Sequence, residues 1–596
     1  MISKYGNNLL QYFRYYYSIV GNKLLFSICL SIIVSALDGL GLAMFMPFLQ
    51  SVANEGKAAN DSMGNLHYVI DAIKGIGFPL TLGSILATMV ILFSFKGFMR
   101  YVEVNYTAGV VYFFMKKLRH KLVNKLQNIS YRGFTKLEAG IIQNNFIAEV
   151  QKMSQAVRSY LLYCQAMVML ITYVSFSLLA NFQFALLLAV SAGLTNLLYS
   201  RIYKKLQETS YKISENGNNF NAYMIQAVHY FKYLKATNYL GTYSVKLKEV
   251  IDNTEALSKK IARYNSITMG LKEPMIILIV VIVVYIQATW LGGNLGSIIL
   301  SLILFYRALN FLVVLQQYWQ NFIQNTGSIR SITKIEKAMS KMVEFQGAKE
   351  FDTLRKEIAV VDVSLTYGKN TVLQKTNIII PQKQTVAFVG ESGSGKTSLA
   401  NIIMGLINPD KGTVLLDGIS LTEYNLDSYR KRIGYISQDP VIFNDSIFNN
   451  VTFWAEPTPA NMKRFWEVID LVSLKEFVES QEQKELTKLG DHGLLISGGQ
   501  KQRISIAREM FKNVEILVLD EATSALDSET ELMIQENIEK LHGHYTMLVI
   551  AHRLSTIKNV DKIYLLDKGN VVISGDFENM VQNSDKFKRM VALQGL

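Results

Sequence analysis

The chain has 596 residues, of which half are hydrophobic and only 18% are charged, with a formal net charge of +13. That length accommodates several domains, and that apolar content argues against a wholly soluble protein. Its two cysteines, Cys29 and Cys164, lie in apolar surroundings and argue against a disulfide framework or a cysteine-based metal site. The positive charge sits beside long apolar runs, so it points to cytoplasmic membrane loops, and no nucleic-acid partner is expected.

Residues 1–23 carry Lys4, Arg14 and Lys23 without an acidic residue, together with Tyr12, Phe13, Tyr15, Tyr16 and Tyr17. This predicts an amphipathic segment on the cytoplasmic membrane surface. No cleavable signal peptide is expected, because the first apolar run is too long for one.

Six spans are predicted within residues 24–320: Leu24–Leu49, Leu80–Val102, Leu161–Ala180, Phe184–Tyr199, Pro274–Leu291 and Gly296–Tyr318. Each is near the roughly 20 residues that a bilayer requires. Ser51–Pro79 is charge-balanced and is assigned outside; Lys116–Arg158 and Arg201–Lys272 are rich in Lys and Arg and are assigned inside. The turn at Asn181-Phe182-Gln183 predicts a tight outer hairpin. Both inside segments are too long for simple loops and read as helical extensions of the spans. An even number of spans leaves both termini in the cytoplasm.

Within the spans, Lys96 and Arg100 share a helix face, with Glu103 within reach of Arg100. Asp38 lies in the first span and Arg307 in the sixth. Charge at that depth faces a bundle interior or a water-filled path, so Lys96, Arg100 and Arg307 are candidate substrate residues, with structural pairing as the alternative. Residues 321–356 read as a polar helical linker, and residues 357–596 as a soluble α/β domain.

In the soluble part, Gly390-Glu391-Ser392-Gly393-Ser394-Gly395-Lys396-Thr397 fits G-x-x-x-x-G-K-[ST]. Glycines at 390, 393 and 395 let backbone N–H groups turn toward phosphate. Lys396 supplies a point charge and Thr397 a hydroxyl for Mg²⁺. A buried strand, Gln384–Val389, precedes the loop, and a helix from Ser398 follows with its N-terminus toward the anion. Tyr367 is placed to stack on adenine. Ser497-Gly498-Gly499-Gln500 runs into a second helix, a second place to hold phosphate. One chain cannot easily wrap both around one ATP, so a dimer is implied. Ile516–Glu521 reads as a buried strand ending in two carboxylates, Asp520 for Mg²⁺ and Glu521 to orient or deprotonate the attacking water. His552 follows another strand and is within reach of the γ-phosphate. Gln438 ends a strand at Lys431–Gln438.

Taken together, these motifs make the whole chain resemble an ABC transporter half of the exporter type. The resemblance makes Gly390–Thr397, with Ser392 and Ser398, the Walker A region, Tyr367 the A-loop aromatic, and Gln438 the Q-loop residue and a metal contact. It makes Ser497–Gln500 the signature, Asp520 and Glu521 the Walker B pair, Ser524–Asp527 the D-loop and His552 the switch histidine. Ile496 replaces the usual Leu of the signature, and Asp491 the usual Glu of the X-loop. The implied fold is multidomain: a six-helix α transmembrane domain and an α/β P-loop nucleotide-binding domain with a helical subdomain.

The implied cofactors are ATP and Mg²⁺. The implied partner is a second copy of the chain, because Glu521 leaves the site intact. Short coupling helices are expected near Arg132–Leu137 and Asn219–Val228. The implied activity is ATP-driven export or flipping of an amphipathic, lipid-like substrate by alternating access. Lipid or lipid-linked oligosaccharide flippases are the nearest resemblance, and export of peptides or hydrophobic small molecules is the alternative. A channel or regulator is the third reading. The expected location is a bacterial inner membrane, as a multi-pass protein among membrane lipid.

Overall fold

The computed structural model describes residues 9–45, 48, 82–180, 182–286, 295–520, 536, 539, 541–551 and 553–594. The chain divides into two compact units, Met1–Ile129 with Gly133–Val343, and Ser130–Arg132 with Glu344–Leu596.

The first unit is helical. It contains α1 (Leu9–Val20), α2 (Asn22–Ala43), α3 (Leu82–Gln127), α4 (Tyr131–Phe134, which straddles the division), α5 (Ala139–Asn144), α6 (Val150–Ala180), α7 (Phe182–His229), α8 (Phe231–Ala236), α9 (Leu240–Ile286), α10 (Leu295–Gln324) and α11 (Thr326–Ser340). All six predicted spans fall at least in part on helices. Among the described residues, four helical stretches are long and apolar enough to cross a membrane: Asn22–Leu42, Leu82–Gln127, Ala139–Phe176 and Leu240–Ile282. Asn181 of the predicted outer hairpin lies outside the described residues, as do all of Ser51–Pro79 and residues 287–291 at the end of the fifth span.

The long segments 116–158 and 201–272 are largely helical, as their periodicity predicts. Helix α3 runs on to Gln127, and α9 runs through Pro274. No separate short helix forms at the second expected coupling position. Asn219–Val228 is the interior of α7, and the break comes at Tyr230, before α8. Nothing in Asn219–Val228 interrupts a helix, whereas Asn238, at φ 60, ends the turn after α8. Near the first expected position, α4 forms at Tyr131–Phe134.

Helix α1 buries Tyr12, Tyr16 and Val20 at four-residue spacing against Phe114, Tyr160 and Phe322 and leaves Leu10 exposed. Helix α11, within the stretch read as a linker, buries Ile329, Ile332, Ile335 and Met339 in this unit.

The second unit has two sheets. In the antiparallel sheet, β1 (Glu357–Tyr367), β2 (Asn370–Pro381), β4 (Lys411–Leu416) and β5 (Ile419–Ser420) take the order β2-β1-β4-β5. The six-stranded sheet is built from β3 (Thr385–Val389), β6 (Ile433–Ile436), β7 (Ile516–Asp520), β8 (Thr546–Ile550), β9 (Lys562–Asp567) and β10 (Asn570–Gly575) in the order β10-β9-β3-β8-β7-β6. All neighbours in it are parallel except β10 and β9. Strand β3 is buried at every position, which is why it reads as a continuous apolar run.

Helix α12 (Lys396–Ile403) follows β3, and α13 (Leu426–Lys431) precedes β6. A helical subdomain follows: α14 (Ile447–Thr452), α15 (Pro459–Leu471), α16 (Lys475–Glu479) and α17 (Gly498–Phe511). Its core joins Phe448, Phe465, Ile469 and Ile504 to Leu517 and Leu519 of β7. Helices α18 (Phe577–Asn583) and α19 (Asp585–Leu593) close the chain.

Candidate functional site

The nucleotide site grows from the C-terminal edge of the parallel sheet. Phe388 of β3 and Asp520 of β7 are both in register with Ile550 of β8, and Ile436 of β6 is in register with Leu519. The segments after β3, β6, β7 and β8 therefore leave from one edge, where α/β sheets bind ligands. Those segments hold Gly390–Thr397, Gln438, Glu521 and His552. Glu521, Ser524–Asp527 and His552 lie outside the described residues.

The loop after β3 has the geometry its glycines predict. Gly390, Gly393 and Gly395 have φ of +152°, +82° and +106°. A Cβ on Gly390 would stand 2.2 Å from the Leu566 carbonyl oxygen, and one on Gly395 would stand 2.8 Å from Leu373 Cδ2. Only glycine fits both positions. Gly395 caps α12, whose first residue, Lys396, is buried. Lys396 Nζ donates to the carbonyls of Gly390 and Glu391 at 2.8 and 3.0 Å. The lysine thus spans the cradle, and Ser394 Oγ beside it is buried without a hydrogen-bond partner. Ser392 and Thr397 are exposed and Ser398 half-buried. An electropositive helix N-terminus, a lysine and open backbone N–H groups fit a nucleotide phosphate chain.

Asp520, half-buried, accepts a hydrogen bond from Tyr435 Oη at 3.3 Å. Burial, with the Asp520 charge second, pushes the Tyr435 phenol up to about 12. Gln438 is exposed beyond β6. Thr397, Gln438 and Asp520 each carry an oxygen donor of the kind Mg²⁺ takes.

Ser497-Gly498-Gly499-Gln500 forms a complete capping box on α17. Gln500 N donates to Ser497 Oγ at 3.3 Å, and Ser497 N donates to Gln500 Oε1 at 2.9 Å. Leu494 and Leu495 just before it are 80% and 74% exposed. A capped helix start beside bare leucines is a surface suited to a covering partner.

Tyr367 ends β1 and is 41% exposed. Sequence reasoning missed its neighbours. Arg132 donates to Asp410 Oδ1 and to the Thr366 carbonyl, both at 3.0 Å, and Asp410 Oδ2 accepts from Thr366 N at 2.7 Å. No local sequence signal could have paired Arg132 with residues more than 230 positions away.

The ABC transporter family profile matches residues 373–524, and the ABC transporter transmembrane region profile matches residues 24–312. The chain is an ABC exporter with fused transmembrane and nucleotide-binding domains. It is 25% identical over 570 residues to the heterocyst differentiation ATP-binding protein HepA of Nostoc sp., covering 95% of this chain and 93% of that one. It is 29% identical over 495 residues to an ATP-dependent lipid A-core flippase of Ralstonia nicotianae, covering 80% and 81%. A bacterial Atm1-family ABC exporter solved with ATP bound superposes with a TM-score of 0.79 at 19% identity, covering 97% of this chain and 99% of that one. The exporter is therefore an ATPase coupled to transport.

In the exporter's first unit, the predicted substrate cations meet carboxylates. Lys96 ion-pairs with Asp38, which also accepts from Tyr173 Oη. Arg100 Nη1 donates to Glu103 at 2.6 Å, and Glu103 also accepts from Ser31 Oγ at 2.6 Å. Thr107 joins the seam through Ser27 at 3.1 Å and Gln165 at 2.9 Å. Arg307 is exposed on α10. Elsewhere, α7, α9 and α10 enclose a cavity of about 250 Å³. Its walls include Met269, Met275, Ile279, Leu309, Leu312 and Val313, and its polar strip includes Glu273, Gln316, Gln317 and Gln320.

Proposed function

We propose that this exporter uses ATP hydrolysis to flip or export an amphipathic, lipid-like substrate, by alternating access of a homodimer. The observation that carries this reading is the cavity among α7, α9 and α10, which pairs an apolar wall with a strip of side-chain amides. That lining suits one end of an acyl or prenyl chain beside a hydrogen-bonding headgroup. Relatives named lipid A-core flippase support the same class. Arg307, exposed on α10, is proposed to meet an anionic headgroup. Lys96 and Arg100 would serve only if that headgroup displaced Asp38 and Glu103. The location proposed is the bacterial inner membrane, with both termini in the cytoplasm.

In the nucleotide site, Tyr367 holds the base. The N–H groups of the loop at Gly390, Ser392, Gly393 and Gly395, with Lys396 and Ser398, hold the phosphates. Thr397, Gln438 and Asp520 would hold Mg²⁺, which would supply positive charge to neutralise the phosphate oxygens. Ser497–Gln500 of a second copy covers the γ-phosphate, Glu521 orients the attacking water, and His552 contacts the transferred group. ATP binds the closed pair better than the open one, which supplies the population shift that moves the substrate.

Glu273 on the cavity wall favours a second reading. A carboxylate there would select a cationic or hydrogen-bond-donating group, as on a peptide or a hydrophobic amine.

The test is ATPase activity of the purified chain in lipid nanodiscs, with Glu521→Gln as the blank. Lipid A-core, a polyprenyl-pyrophosphate oligosaccharide and a hydrophobic cationic peptide are added in turn. Stimulation by an anionic lipid that disappears in Arg307→Ala supports the lipid reading. Stimulation only by the peptide, abolished in Glu273→Gln, overturns it.

A further inference from the structure

We propose that Arg132 is a positioning residue for the nucleotide base, acting on Tyr367 through the Thr366 peptide. The proposal rests on reading Tyr367 as the base platform.

Tyr367 sits where a side chain should be loosely held. It closes the β1–β2 hairpin opposite Asn370, with Gly368 at φ +62° in the turn. Two polar groups nevertheless hold the preceding peptide on both sides. Asp410 accepts from the Thr366 N–H at 2.7 Å, and Arg132 donates to the Thr366 carbonyl at 3.0 Å. Arg132 and Asp410 are themselves paired at 3.0 Å. The three groups close a ring, so the peptide cannot rotate without breaking a charge-assisted bond. The Arg132 hydrogen bond is also the main reason the Asp410 carboxyl lies below the usual carboxylate range.

Arg132 also reaches the ring itself. Its guanidinium carbon lies 6.0 Å from the Tyr367 ring centroid, at the outer limit of a cation–π contact. The ring stays partly exposed, which leaves area for a base to stack on. From Tyr367 the hairpin runs directly to the phosphate cradle, since the Val372 carbonyl and Leu373 are the atoms a Cβ on Gly395 would strike. Base platform and phosphate loop are therefore linked through one hairpin, with Tyr367 at the end of β1 and Val372 and Leu373 at the start of β2, and a tilt at Thr366 changes their spacing.

The experiment measures ATP and GTP KM and kcat, and displacement of a fluorescent ATP analogue, for the full chain in nanodiscs. Aromatic–base stacking contributes about 1–3 kcal/mol, so Tyr367→Ala should weaken ATP roughly five- to 150-fold. Arg132→Ala should raise the ATP KM roughly three- to tenfold with a smaller change in kcat, and should raise the GTP KM in parallel, because stacking is shared by all bases. Arg132→Lys, which keeps charge but not the forked geometry, should recover part of the loss. The double variant should be no worse than Tyr367→Ala. Additive losses would mean that Arg132 does not act through Tyr367 and would overturn the proposal. An unchanged Arg132→Ala beside a weakened Tyr367→Ala would overturn it and leave the base reading standing. An unchanged Tyr367→Ala would remove the base reading and the proposal with it. If Arg132→Ala fails to fold, Asp410→Asn breaks the same ring and is read in the same way.

Discussion

Tyr435 Oη donates a hydrogen bond to Asp520 Oδ2 across 3.3 Å, joining the β6 strand to the carboxylate that ends β7. The carboxylate proposed for Mg²⁺ is thus held by a neighbouring strand. Tyr435→Phe should loosen it and raise the half-saturating Mg²⁺ concentration for ATPase roughly two- to tenfold, the effect of losing a partner outside the metal's own ligands. A Mg²⁺ titration of wild type and variant checks this; equal midpoints would show that Asp520 is held without Tyr435.

The same phenol has a signed pH dependence. Its pKa rises from 10.0 to about 12, first by burial. The protonated form is favoured by folding, so its contribution is complete below pH 10 and is lost as pH rises toward 12. Thermal unfolding followed between pH 9 and 12 should show a steeper alkaline loss of Tm in wild type than in Tyr435→Phe.

Lys586 of α19 lies 3.0 Å from Glu391 in the phosphate loop and 2.9 Å from Asp567 at the end of β9. It offsets two carboxylates beside a site for anionic phosphates. Lys586→Ala should weaken ATP binding roughly two- to fivefold at low salt and less at high salt, because the pair is solvent-accessible. Equal loss at both ionic strengths would assign the effect to displaced α19 packing instead. Hydrogen bonding to Asp567 and Glu391 raises the Lys586 pKa, and hydrogen bonding to Lys586 lowers that of Asp567. The lysine's contribution is therefore lost as pH climbs through its raised pKa. The carboxylate's contribution is lost as pH falls through its lowered one.

Glu103 is fully buried, while its partner Arg100 keeps 44% of its side chain exposed. Glu103→Ala leaves Arg100 and Ser31 without this acceptor and should cost about 1–3 kcal/mol. The double variant Glu103→Ala/Arg100→Ala should recover part of that loss. Thermal unfolding in detergent reads both.

Gly390→Ala should abolish ATP binding, because its Cβ would fall 2.2 Å from the Leu566 carbonyl oxygen at a φ of +152°. Gly97→Ala, in the middle of α3 with nothing within 4 Å of the new methyl, should be neutral or stabilising by about 0.5–1 kcal/mol. Nucleotide binding and Tm of the two variants provide the comparison.

The nucleotide cradle was legible in the sequence because its residues constrain backbone within a few positions. Gly390, Gly393 and Gly395 declare positive φ, Lys396 opens a helix, and Ser497 with Gln500 declares a cap. The break at Tyr230 was not legible, because Asn219–Val228 and the residues after it have similar helical character. Nor were the partners of Lys96 and Arg132 legible. Asp38 lies 58 positions from Lys96 and Asp410 lies 278 positions from Arg132.

The sequence by itself determined the division into an apolar helical half and an α/β half, the helical extensions of the spans, and the glycine loop and capped helix start of the second half. These follow from periodicity, turn residues and short motifs, all of which act locally along the backbone. Only the tertiary structure decided which charges are neutralised. It set Asp38 against Lys96 and Asp410 between Arg132 and Thr366, and it brought Tyr435 to Asp520. A charge's role depends on what lies within a few ångströms of it, and packing sets those distances.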